Sequence, residues 1–150
     1  MLAAGSLSAV AFPWVGLAQS DSVTRHADTL RVFIDVLLPA DALTPAASEL
    51  GVGDGILAIA SGQPLLAELI LRVGDWIDTT GAGRFVDLSP ADKSAVAAYL
   101  AQADVDAPEG RFFLLIRLLA IEFYDDHPSA LAGLALDATP QPAGYPPPWL

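Results

Sequence analysis

Asp125-Asp126-His127 places two carboxylates and an imidazole in consecutive positions. Such a set could ligate a metal or exchange protons. Pro128 follows at once, so the string also reads as the polar end of a helix, where adjacent side chains point apart and do not converge. His26 is the only other histidine; beside Arg25, in the first turns of a helix, it is expected on the surface. Asp41, Glu49 and Asp54 could serve a calcium loop, but the alternating oxygen ligands and closing glutamate of such loops are missing. Gly51-Val52-Gly53-Asp54-Gly55 resembles a phosphate loop in glycine content alone, with no G-x-G-x-x-G spacing and no Gly-Lys-Ser/Thr. No G-x-S-x-G elbow occurs. With no cysteine, thiol nucleophiles, disulfides, thiolate zinc, iron–sulfur ligation and c-type haem attachment are excluded. The expected catalytic, cofactor-binding and metal sets of this chain are therefore empty.

The elements that would position any site read as helix after helix. Over residues 22–38, Val23, Ala27, Leu30, Ile34 and Leu37 recur in steps of four and three, widened by Phe33 and Leu38, and Pro39 stops the run. A short helix from about Ala46 breaks at Gly51-Val52-Gly53 and resumes to Ser61. Pro64 opens the next, with Leu66, Leu69, Val73 and Ile77 as its stripe and Trp76 beside it. Ser89-Pro90-Ala91-Asp92 is a helix start, and Val96, Tyr99, Leu100 and Ala103 are its expected inner face. Residues 110–124 are apolar around most of the helix, interrupted only by Arg111, Arg117 and Glu122. A helix of that kind is buried on nearly all sides or shared with a partner. The fold class is all-α: a small irregular bundle of about five helices over residues 19–137, with no convincing strand.

Composition sets these helices in an unusual chain. Its 150 residues allow one domain. A net charge of −11 argues against nucleic acid as a partner, yet apolar residues make up 53% and mean hydropathy is +0.48. Residues 1–18 hold thirteen apolar residues and no charge, and Gly16-Leu17-Ala18 supplies small residues for a cut after Ala18. They read as the hydrophobic and cleavage parts of an export signal whose basic segment is missing. The mild Gly/Ala-rich core suits the twin-arginine type, although no arginine pair is present. At the other end, residues 138–150 carry five of the 12 prolines, so an extended, stiff tail presenting Tyr145 and Trp149 is expected.

Two sets of strings carry a resemblance. Phe33-Ile34-Asp35-Val36-Leu37-Leu38-Pro39-Ala40-Asp41-Ala42-Leu43-Thr44-Pro45-Ala46-Ala47, followed by Gly51-Val52, is similar to the front signature of the gluconate 2-dehydrogenase subunit 3 family. Phe112-Phe113, Phe123-Tyr124-Asp125-Asp126, Pro128 and Pro140-Gln141-Pro142-Ala143-Gly144-Tyr145 resemble its rear half. The resemblance implies a small helical, non-catalytic subunit of a bacterial dehydrogenase at the periplasmic face of the inner membrane. It further implies a large FAD flavoprotein that oxidises a sugar, sugar acid or polyol, often joined by a multi-haem cytochrome c. FAD and c-type haem would then belong to partner subunits, and the folded flavoprotein would be exported attached to the small one.

The residues themselves fit an accessory chain, with surplus apolar surface and no cofactor chemistry. Phe112, Phe113, Phe123 and Tyr124 read most simply as core, and the alternative makes them, with Tyr145 and Trp149, the candidate partner contacts, since large aromatics at the end of a stiff segment or on an all-round apolar helix suit anchors. Two rival readings are a stand-alone helical interaction module and a small metal-dependent enzyme built on Asp125, Asp126 and His127.

Overall fold

The computed structural model describes residues 23–132, Ala82 excepted. The export-signal reading of residues 1–18 and the tail reading of residues 138–150, with Tyr145 and Trp149, lie outside the described residues. Within them the fold is all-α, with six α-helices, three short 3-10 segments and no strand. A 3-10 turn at Thr24–His26 leads into α1 (Ala27–Leu37). A second at Ala47–Leu50 precedes α2 (Val52–Gly62), and α3 (Pro64–Thr80) follows after one residue. A third 3-10 turn at Phe85–Asp87 leads to α4 (Pro90–Gln102), then α5 (Pro108–Asp125) and the short α6 (Pro128–Ala132). No described helix is long and apolar enough to cross a membrane.

α1 is the central strut. Most of its expected stripe is buried, with Val23, Leu30, Phe33 and Ile34 all at 2% exposure or less, while Leu37 and Leu38 are half-buried. Around it close Ile56 of α2, Ile70 and Ile77 of α3, Leu100 of α4 and Ile116 of α5. Phe33 anchors the aromatic centre, its ring centroid 6.1 Å from Phe85 and 5.4 Å from Phe112. Side-chain pairs of this kind add to the free energy of area burial. Phe85 sits in a 3-10 turn that shows no helical period, so sequence periodicity does not mark it as core.

Helix boundaries follow local chemistry. The Ser89 hydroxyl accepts from Asp92 N–H at 3.2 Å, and prolines occupy the first helical turns of α3, α4 and α5. Gly51, at φ 71°, takes the left-handed conformation that separates the 3-10 turn from α2. The break expected at Gly51-Val52-Gly53 is thus confined to Gly51, and α2 begins at Val52.

Two expected faces are rotated. In α3 the buried residues are Ala67, Ile70, Val73, Gly74 and Ile77, whereas Leu66 and Leu69 are only half-buried. Small Ala67 and Gly74 let the helix approach its neighbours closely, so they win the inner face from the leucines. In α4 Ala97 and Leu100 are buried, while Tyr99 is 59% exposed. Tyr99 instead stacks on Trp76 at 5.4 Å.

The glycine-rich string in α2 is a packing device. A side chain at Gly53 would meet the Arg31 stem at 2.9 Å, and one at Gly55 would meet the Phe123 ring at 2.8 Å. Two helices therefore lie closely on opposite parts of α2.

Candidate functional site

The acidic residues singled out from sequence do not converge. Asp41 folds back on its own turn, accepting from Leu43 N–H at 2.7 Å, Thr44 N–H at 2.8 Å and the Thr44 hydroxyl at 3.1 Å. Those donors, led by the Leu43 and Thr44 backbone, hold its carboxyl below the usual carboxylate range. Glu49 accepts from Ala46 N–H at 3.2 Å, and Asp54 pairs with Arg31 at 2.6 Å. The Asp54 hydrogen bond, then the Asp54 and Asp28 charges, push the Arg31 guanidinium above its ordinary pKa. Asp125 ends α5, Asp126 caps it, and both are exposed. His127 Nδ1 lies 3.3 Å from Ser129 N–H. Among the described residues no group of three or more histidine and acidic side chains is placed to hold a metal.

His26 is buried, at 4% exposure, not on the surface as its neighbours in sequence suggest. Its Nδ1 is 3.0 Å from Asp78 and its Nε2 is 3.0 Å from Asp75. Arg25 donates to both oxygens of Asp75 at 3.1 Å. Asp78 also accepts from the Thr29 hydroxyl at 2.9 Å and from Phe85 N–H at 3.1 Å. Gly74 makes room, since a Cβ there would sit 2.7 Å from the imidazole. The cluster stitches α1, α3 and the Phe85 turn together. Its acids lie about 50 positions away in sequence, which is why local reading places His26 wrongly.

The expected aromatic anchors divide. Phe112 is 2% exposed and belongs to the chain's own core, the simpler of its two sequence readings, and is not a partner contact in the folded chain. Phe112, Ile116 and Ala120, one helical turn apart, form the inner stripe of α5, and Phe112 meets Phe33 of α1. Phe113, Phe123 and Tyr124 are half-buried against the same core. The Tyr124 hydroxyl donates to Pro45 O at 2.8 Å, so it tethers the loop after α1.

The outward face of α5 is instead aliphatic. Leu114 is 42% exposed, Leu115 37% and Leu118 55%. Leu115 and Leu118, with Leu119, face α3 and the end of α2 across an open groove of about 730 Å³. Ile59, Leu65, Leu66 and Leu69 form the opposite wall, and Leu65 is 84% exposed. Gln63, Glu68, Arg72, Pro108 and Arg111 complete the rim. Ile59 and Leu65 were legible only as apolar residues standing off a stripe. The groove presents shape and exposed apolar area, the features of an association surface.

The strings that carry the family resemblance have structural tasks in this fold. Asp35 accepts from Ser48 N–H at 2.8 Å and so fixes the 3-10 turn after the Pro39–Pro45 loop. Phe33 is core, and Tyr124 of the rear half closes on Pro45 of the front half. Comparison with protein families matches residues 24–136 to Gluconate 2-dehydrogenase subunit 3. No curated protein and no solved structure matches the chain. The matched stretch spans most of the 150 residues, and the chain belongs to the gluconate 2-dehydrogenase subunit 3 family.

Proposed function

We propose that this chain is the non-catalytic small (gamma) subunit of a periplasmic FAD-dependent dehydrogenase acting on a sugar, sugar acid or polyol. It binds and stabilises the large flavoprotein and assists its export. FAD sits in that partner, and c-type haem in a cytochrome subunit where one is present. The observation that carries this reading is the family match over residues 24–136, whose name describes a numbered subunit of a dehydrogenase. The aliphatic groove supports it, because an exposed trough on a small acidic domain is what an obligate neighbour would cover.

The mechanism is linkage. Buried apolar area contributes about 25 cal/mol per Å² before the costs of association. A partner that binds only the folded flavoprotein raises its stability by about 2.7 kcal/mol at a hundred times Kd. In this way a chain without reactive groups acts as a chaperone.

Co-expression with an FAD-dependent sugar dehydrogenase subunit of the native host tests the proposal. The expected result is a co-purifying complex, with flavin-loaded large subunit reaching the periplasm only when this chain is present. A flavoprotein exported, loaded and equally stable without it would overturn the function. Capture of no flavoprotein would favour the stand-alone interaction module.

A further inference from the structure

The groove has a polarity that the subunit reading does not by itself require. Phe123 packs over Gly55 near the start of α2, and Phe112 borders a small cavity with Ile70, Gly74 and Ile77. The start of α5 therefore lies beside the middle of α3, and its end lies beside the start of α2. Arg111 lies beside Phe112 in sequence and Arg72 lies between Ile70 and Gly74, so both guanidinium groups belong to one end of the groove. The other end is Leu65, Leu118 and Ile59.

Cations are scarce here, with seven Lys and Arg against 18 Asp and Glu. Arg25 and Arg31 are spent on internal ion pairs. Arg72 and Arg111, like Arg84, Lys93 and Arg117, form none among the described residues, but these two line the groove, where Arg111 donates to the Asp106 carbonyl at 3.3 Å. Glu68, exposed on the same rim, leaves a surplus of one positive charge at a groove in a chain of net −11. A second copy would bring that negative charge with it and is disfavoured as the occupant.

We propose that the groove takes an amphipathic helix of the large subunit, its apolar face on Leu65, Leu69, Leu115 and Leu118 and its acidic end on Arg72 and Arg111. A helix matches a trough between two helices, with anchors at turn spacing. The negative end of its dipole and one or two Asp or Glu side chains supply the complementary charge. This rests on the subunit reading above and adds the site, the secondary structure and the charge of the docking segment.

The test is binding of purified flavoprotein to the full chain, with circular dichroism confirming that each variant folds. Leu65→Asp/Leu118→Asp is expected to weaken the complex by at least about tenfold. Arg72→Glu/Arg111→Glu is expected to weaken it about tenfold and to abolish the salt dependence of the wild-type affinity. Leu131→Asp, on an exposed leucine of α6 away from the groove, is expected to bind as wild type. Unchanged affinity in the leucine pair overturns the site. Loss in the leucine pair with unchanged affinity and salt dependence in the arginine pair overturns the acidic helix. Light scattering that shows a dimer dissolved by the leucine pair would assign the groove to a second copy instead. Wild-type protein that binds no flavoprotein fails the subunit reading itself.

Discussion

Asp78 accepts from groups on two other segments of the chain and shares a 3.0 Å contact with His26. Replacing it with alanine leaves Thr29, Phe85 N–H and His26 without that partner in a buried setting. Unsatisfied buried polar groups cost about 1–3 kcal/mol each, so Asp78→Ala is expected to destabilise the fold by about 3 kcal/mol, read from denaturant midpoints. Asp78→Asn, which keeps the shape, should lose less. Gly110 is a second sensitive position, because a Cβ there would collide with the Asp104 and Ala103 carbonyls, which are backbone and cannot swing aside. Gly110→Ala is expected to lower the melting temperature clearly, whereas Gly62→Ala, in open space, should not. Asp41 gives a pH signature. Its carboxyl is held below the ordinary range, so its contribution is present above the unfolded carboxylate pKa and is lost as pH falls through the depressed folded value. In Asp41→Asn, stability should therefore depend less steeply on pH below the ordinary carboxylate range, measured by urea titration across that range.

At the scale of elements, α5 has two apolar faces with different tasks. Phe112 fills the core, and its truncation to alanine should cost about 3–5 kcal/mol. Leu118 lies 55% exposed in the groove, and Leu118→Gln should change stability by no more than about 0.5 kcal/mol while improving solubility of the free chain. Thermal melts and static light scattering of the two variants separate these faces. Sequence reading found α1, α3, α4 and α5 and their caps because helical period, prolines and Ser89 act locally. It found that α5 was apolar all round, but not which face was inner, since period alone cannot rank Phe112 against Leu118. That choice is made by Phe33 and Phe85 across the core. The inner face of α3 was misread for a related reason. Hydrophobicity favours Leu66 and Leu69, but close packing favours Ala67 and Gly74. His26 and Asp78 were illegible because their pairing crosses half the described chain.

For the whole molecule, the coexistence of high hydropathy and strong negative charge has a spatial resolution. Charged side chains cover turns and outer faces, while four exposed aliphatic side chains, Ile59, Leu65, Leu115 and Leu118, share one groove with two arginines that form no ion pair among the described residues. The family strings were legible as identity before their work was visible, because their residues close loops and turns without performing chemistry. Front and rear strings meet in the finished fold, Tyr124 bonding Pro45 and Phe112 packing on Phe33, while Asp35 fixes the turn at Ser48.

The 2.8 Å bond from Tyr124 to Pro45 spans 79 positions of sequence. During synthesis, the loop after α1 has no such tether until the end of α5 leaves the ribosome. Phe33 likewise waits for Phe112. The core is thus completed late, by its penultimate described helix, and every shorter nascent chain exposes the face of α1 that α5 will cover. Ribosome-bound chains ending before residue 108 should be cut by protease within residues 23–81, and chains carrying α5 outside the exit tunnel should resist.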